Sequence, residues 1–399
     1  MHLILTEGAP ARLVELNRAV ADALRDSEVA AVEYTDSSDQ WLVSAAGKIG
    51  VVRVGDVQVT VKPKVAIDRL VFMMGYARNP SYWREDRVRL DPDMDLPQAL
   101  AEAFRRLATR ALEQGLLKGY RSIDDTTSVM RGRIREADQI KRRFGRLIPL
   151  EVRYDDFTVD IAENQLLLAA AQRLLRMPGL GRGTRHALQR LRLQLADVTP
   201  PTRGQERPFW RPSRLNVRYV PALRVAELIL DGRSFEQRVG DLTVTGFLFS
   251  MAVIFEDFVC VGLREQMKRS GGRSTLQYKT HLDVGEAVRV KPDFVWSLGG
   301  SVRLVADAKY KAEKPAGFPQ ADLYQLLAYC TVLGLTDGHL IYAKGEEQAR
   351  VHYVVGSEIR IHCHTLDLTV SPGALVEQVR VLAARMQRSR FGRSAPAGG

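Results

Sequence analysis

Between Arg289 and Lys309 the chain alternates side chains at period two over two short runs. Arg289, Lys291, Asp293 and Val295 share one face of the first run. Arg303, Val305, Asp307 and Lys309 share one face of the second. Gly299-Gly300 lies between them and suits a tight hairpin turn. A strand pair of this kind places two carboxylates and a lysine on one side of a small sheet.

That set of groups suits phosphodiester hydrolysis. Aspartates are hard oxygen ligands, and Mg²⁺ takes carboxylate together with water and phosphate. A divalent ion there polarises a phosphate and activates water. Lys309 would orient that water or offset the charge that develops during reaction. Arg289 and Lys291 would attract a phosphate backbone. A solvated strand pair carries the same residue types, so the spacing alone leaves that plainer reading open.

Two helices flank the pair. Phe247 to Lys268 is apolar nearly all round, which predicts a buried helix. Glu256 interrupts it, with Ala252, Val253, Val259 and Cys260 one turn away. A carboxylate there is costly unless it is paired or binds metal. A buried salt bridge or a helix-edge acid is the plain alternative. Downstream, Ala321 to Leu333 reads as a helix with Gln325 and Tyr329 on one face at i,i+4.

The order is therefore Glu on a helix, Pro-Asp on a strand, Asp-x-Lys on the next strand, then Gln-x-x-x-Tyr on a helix. It resembles the PD-(D/E)xK nuclease superfamily, in the branch with a downstream Gln-x-x-x-Tyr. The resemblance is closer still to the McrC family, the nuclease subunits of 5-methylcytosine-specific McrBC restriction systems. Phe255-Glu256-Asp257-Phe258-Val259, Lys291-Pro292-Asp293-Phe294, Asp307-Ala308-Lys309-Tyr310-Lys311 and the run from Asp322 to Tyr329 carry it. So do Arg131-Gly132-Arg133-Ile134, the run from Leu150 to Thr158, and Glu163-Asn164-Gln165-Leu166-Leu167. The similarity spans about residues 50 to 345.

The resemblance implies a Mg²⁺-dependent DNA endonuclease. Asp293, Asp307 and Glu256 would hold the metal, with help from the Ala308 carbonyl. Lys309 would position the attacking water. Gln325 and Tyr329 would orient the site and contact DNA. It further implies a separate AAA+ GTPase subunit, McrB-like, that binds GTP, reads methylated double-stranded DNA and docks the region before residue 235. This chain would stimulate that subunit's GTP hydrolysis.

Composition is compatible with this. The formal net charge is +11 and the pI about 9.6, which suits a nucleic-acid partner. Cys260, Cys330 and Cys363 form no C-x-x-C pair, which argues against a disulfide scaffold and fits a reducing cytoplasm. The first residues lack a secretory signal pattern, and no apolar run reaches membrane-spanning length.

The expected fold class is α/β, mixed α+β overall. Residues 1–90 form a β-rich docking domain, with a helix over Ala9 to Arg25 and strands at 41–44, 50–54 and 57–64. Residues 91–234 are mainly helical, with helices at 95–118, 159–177, 184–196 and 221–230 and a proline-rich linker near 199–213. Residues 235–388 are the nuclease domain, with a mixed sheet flanked by helices. Residues 389–399 are a disordered tail. Arg131 to Arg146 is basic and would meet DNA phosphate or an acidic partner, or face solvent.

Two decoys are set aside. Ala45-Ala46-Gly47-Lys48-Ile49 lacks the first glycine and the hydroxyl of a phosphate-binding loop, so this chain is expected to bind no nucleotide. His362-Cys363-His364 in a strand points its histidines one way and the cysteine the other, which reads as structural. Two other functions remain open: a non-cleaving, DNA-binding activator of an NTPase, and a stand-alone repair or defence nuclease.

Overall fold

The alternation around Gly299-Gly300 builds the first half of a six-stranded mixed sheet in the computed structural model. The structure describes residues 1–36, 39–80, 94–202, 206–239, 242–310, 320–343 and 350–391 of the 399. The residue 90/91 boundary, Lys311 and the tail beyond 391 lie outside the described residues. The strand order is Arg273–Leu276, Phe294–Leu298, Ser301–Lys309, Asp337–Ala343, Arg360–Leu366, Arg350–Tyr353. The hairpin strands pair antiparallel, with Leu298 opposite Ser301. Gly299 and Gly300 both take positive φ, 62° and 80°, as a two-residue turn matching strand twist requires. Ser301–Lys309 then runs parallel to Asp337–Ala343, which runs parallel to Arg360–Leu366.

A parallel pair needs a crossover, and the helix Gln320–Leu333 supplies it. Leu326, Tyr329 and Cys330 of this helix pack on Val295, Val305, Leu340, Tyr342 and Cys363. Val305, Asp307 and Lys309 alternate on one strand, so the face that receives the helix is also the face of the acidic residues. The helices Met251–Met267 and Pro372–Phe391 also pack together, so closely that a Cβ at Gly262 would lie 2.9 Å from Val379.

By contact the chain divides into two units. Met1–Leu96 groups with Leu248–Gly399, and Pro97–Phe247 forms the other. A separate N-terminal domain over 1–90 is expected from sequence; by contact Met1–Leu96 packs with Leu248–Gly399. Phe72 and Tyr76 of the helix Ile67–Arg78 place their rings 6.3 and 5.5 Å from Phe258. Arg69 Nε donates to the Val370 carbonyl at 3.2 Å. Tyr310 donates to Glu7 at 3.1 Å and lies under Lys64.

The expected helix over Ala9 to Arg25 is a strand, Arg12–Glu15, followed by a shorter helix, Arg18–Asp26. Asn17 starts the helix, its side chain accepting from Val20 N–H at 2.9 Å. The residues before it gain more from pairing with Gln40–Ala45. Phe247 to Ser250 likewise belongs to the strand Leu242–Ser250, and the helix begins at Met251 behind the Ser250 cap. Gly47 lies between two strands and Lys48 begins the second, Lys48–Val54, so no helix follows the loop.

The second unit is less purely helical than expected. It holds the helices Ala162–Leu175, Arg182–Gln194 and Val220–Asp231, and also a three-stranded sheet of Gly119–Thr127, Leu150–Thr158 and Arg133–Ile134. The arginine-rich segment is largely spent on that sheet. Glu151, 1 % exposed, faces Arg143 at 3.4 Å and Arg142 at 3.6 Å. Arg131 pairs with Asp156 at 3.1 Å and lies 4.0 Å over the Tyr154 ring. Arg135 pairs with Asp124 at 3.3 Å.

Glu163-Asn164-Gln165 is structural too. Buried Asn164 donates to the Leu117 and Val159 carbonyls at 2.8 and 2.7 Å, and Glu163 accepts from Asn216. Gly132 turns at φ 67°, where a Cβ would lie 2.2 Å from the Arg153 carbonyl. Gly132→Ala is therefore expected to destabilise this unit by about 1–3 kcal/mol. A denaturant melt followed by hydrogen exchange in 119–158 checks it; unchanged protection there would refute the packing argument.

Candidate active site

Asp293 sits at the end of a loop, just before the strand Phe294–Leu298. Its Oδ2 accepts the Ala308 N–H at 3.0 Å, which locks it across the hairpin from the Asp307 strand. Asp307 is 2 % exposed and forms an ion pair with half-buried Lys309. Lys309 Nζ also donates to Gln325 Oε1 at 2.8 Å. Tyr329 lies one turn on from Gln325, with its phenol near Gln325 and the Lys291 backbone. Glu256 reaches the same place from the helix Met251–Met267, through Gln277. Gln277 Nε2 donates to Glu256 Oε1, and lies 3.3 Å from Asp293 Oδ1. All six expected residues thus meet at one place.

Arg289 and Lys291 do not continue the Asp293 strand, as their alternation had predicted. Arg289–Val290 pairs with Thr280–His281 in a separate two-stranded ribbon. Pro292 has no N–H to extend a ladder, which separates the two stretches. Both cations are exposed.

The electrostatics are those of a site with more carboxylates than cations. Burial raises the pKa of Asp307 to about 7, and the neighbouring Asp293 adds to this against the pull of Lys309. Burial raises Asp293 despite the Ala308 N–H, and Glu256 by burial and then by Asp257 and Asp307. Burial works to lower the pKa of Lys309, but Asp307 outweighs it and the net shift is upward. The lysine stays a cation. Tyr329 is raised to about 12 by burial and by the two aspartates, so it stays a neutral phenol.

Among the described residues, no group of three or more His, Cys, Asp or Glu forms a ready-made metal cage. The donor set still fits Mg²⁺, which takes one or two carboxylates and keeps several waters. Asp293 and Asp307 are the pair that would hold it. Glu256, engaged by Gln277, stands one layer out.

Two residues at the site gain a role only in the structure, one outside every motif and one within the Asp322–Tyr329 run. Gln277 lies in a loop with no motif around it. Buried Asp322, inside the Gln-x-x-x-Tyr helix, accepts from Tyr342 at 3.2 Å and adds negative charge near Lys309. The histidine decoy resolves as a core feature. His339 Nδ1 and His364 Nε2 face each other at 3.1 Å, His362 bonds Asp337 at 2.7 Å, and Cys363 points into the apolar core. Burial lowers His364 to about 3, so its imidazole is neutral.

The family model described as "McrBC 5-methylcytosine restriction system component" matches residues 43–343. The chain belongs to this McrBC family. A chain of the refined half-complex of Thermococcus gammatolerans McrB AAA+ hexamers with bound McrC shares the fold. It is 17 % identical at a TM-score of 0.56, over 96 % of this chain and 100 % of that one. A chain of the T. gammatolerans McrBC complex is 18 % identical at a TM-score of 0.37, over 67 % and 88 %. No curated protein matches. The McrBC match takes in the Arg131–Leu167 block, the Glu256 helix, both aspartate strands and Gln325 to Tyr329. No helix among the described residues is long and apolar enough to cross a membrane.

Proposed function

We propose that this McrBC component is the nuclease subunit of its system, a Mg²⁺-dependent endodeoxyribonuclease with a PD-(D/E)xK core. The observation that carries the proposal is the meeting of Asp293, just before one strand, with Asp307 and Lys309 on the next, and with Gln325 on the lysine. Mg²⁺, when bound, would polarise the scissile phosphate and activate water. Asp293 and Asp307 would hold the ion, and the Ala308 N–H keeps the Asp293 rotamer in place. Lys309 Nζ, oriented by Gln325, donates to the attacking water or a phosphate oxygen. Glu256 completes the outer layer. Tyr329, buried in the core beside Gln325, supports the site from behind and, contrary to expectation, does not reach DNA.

The partner is an AAA+ GTPase that binds GTP and reads methylated double-stranded DNA, and this chain stimulates its hydrolysis. Exposed Tyr120, Phe144, Leu147 and Phe157 in the Pro97–Phe247 unit support a docking role for that unit. Three buried free cysteines fit a cytoplasmic protein. The decisive test pairs the purified chain with its AAA+ partner on methylated and unmethylated DNA, with and without GTP. Cleavage that needs Mg²⁺, GTP and both chains supports the proposal. Cleavage by this chain alone would make it a stand-alone nuclease. Stimulated GTP hydrolysis without any cleavage would make it an activator.

A pH effect follows from Asp307. Folding raises its pKa from 3.8 to about 7, so its charge destabilises the fold in full above about pH 7, and the penalty shrinks as pH falls from about 7 toward 3.8. A cation on the site competes with that proton. Mg²⁺ is therefore expected to raise the melting temperature more at pH 8 than at pH 6. An equal rise at both values would contradict this account of Asp307.

A further inference from the structure

Gln277 belongs to no motif, yet two expected ligands depend on it. It follows the edge strand Arg273–Leu276 with φ at 51°, the left-handed region that side chains other than glycine adopt at a cost. Two bonds pin it there. Gln277 N–H donates to the Asp293 carbonyl and Tyr278 N–H to the Pro292 carbonyl, both at 2.9 Å. The pinned backbone aims the carboxamide nitrogen at Glu256 Oε1 on the helix and at Asp293 Oδ1 beside the strand. Asp293 Oδ2 is already taken by Ala308 N–H. The Asp293 carboxylate is therefore held at both oxygens, and Glu256 is tied to it through a single amide.

We propose that Gln277 is a positioning residue of the cation site, its carboxamide setting the rotamers and the spacing of Glu256 and Asp293. The proposal rests on the metal-dependent reading above. A neutral amide donor suits the task. It bridges two carboxylates without cancelling the negative charge that attracts the ion, as a lysine would. Groups that orient metal ligands from behind contribute about 10–100-fold in metal affinity.

The turn and the side chain separate experimentally. Gln277→Gly relaxes the positive φ and removes the whole side chain, carboxamide included, while leaving the backbone N–H in place. Gln277→Asn keeps an amide and tolerates the left-handed backbone, but falls one methylene short. Mn²⁺ is titrated calorimetrically into the full chain, the two variants and Asp293→Asn, with a thermal melt of each. The expected result is saturable binding by the parent, loss in Asp293→Asn, and roughly 10–100-fold weaker binding in both Gln277 variants at an unchanged melting temperature. Parental affinity in Gln277→Gly, with binding lost in Asp293→Asn, overturns the role of Gln277 and leaves the metal site standing. A melting temperature that falls in step with affinity in both variants also overturns it, since the side chain would then only be holding the turn. No saturable binding by the parent, or undiminished binding by Asp293→Asn, overturns the metal reading and this proposal with it.

Discussion

Asp307→Ala and Lys309→Ala are each expected to lower Mg²⁺-dependent DNA cleavage by about 10³-fold or more. A cation acting on a phosphoryl oxygen contributes several kcal/mol to the barrier, and each 1.36 kcal/mol is tenfold in rate. Asp307 is one of the two carboxylates placed to hold that cation, and Lys309 is the cationic donor beside it. The Ala variants leave the other member of a buried ion pair without its partner, which destabilises as well. Asp307→Asn separates the two effects. It keeps the side-chain shape and removes the repulsion from Asp293, so the melt without metal should not fall while cleavage does. Stimulation of the partner's GTPase serves as the control for folding and docking. Cutting at the parental rate by either Ala variant, with GTPase stimulation intact, would sink the assignment.

Phe258→Ala is expected to cost about 3–5 kcal/mol, the usual range for a fully buried aromatic side chain truncated to alanine. Phe258 is completely buried, and its ring contacts Phe72 and Tyr76 from the helix Ile67–Arg78. Edge-to-face pairs of this kind add to the area term. The loss should appear in one cooperative transition of the Met1–Leu96 and Leu248–Gly399 unit, because both segments share that core. Urea unfolding of the parent and the variant, followed by fluorescence and by far-ultraviolet circular dichroism, tests this. A loss below about 1 kcal/mol, or an N-terminal segment that melts separately with the rest undisturbed, would contradict the shared core.

Much of the candidate site is legible in the sequence, for a local reason. A strand turns its side chains at period two, so Asp307 and Lys309 share a face wherever the strand goes. A helix brings Gln325 and Tyr329 to one side through i,i+4 spacing, and the Gly299-Gly300 turn dictates which strands pair. The errors are also physical. Arg289 and Lys291 alternate in phase with Asp293, but Pro292 cannot carry a ladder through, and they leave the strand. Arg12 to Glu15 shows an apolar period compatible with a helix, and pairing with Gln40–Ala45 decides otherwise. The arginines of 131–146 look free in one dimension, yet several face Glu151, Asp156 or Asp124.

The sequence by itself determined the order of acid, acid and lysine, the faces they share, and the McrBC family pattern that spans them, because each rests on spacing within one element or on short motifs. Only the tertiary structure decided that Met1–Leu96 shares a core with Leu248–Gly399, that Asp307 is buried deeply enough to shift its titration, and that the Gln277 amide reaches both Glu256 and Asp293. Those properties arise from residues far apart in the chain. Burial, a neighbour's charge and a left-handed backbone are consequences of what packs against a residue, and no local periodicity records them.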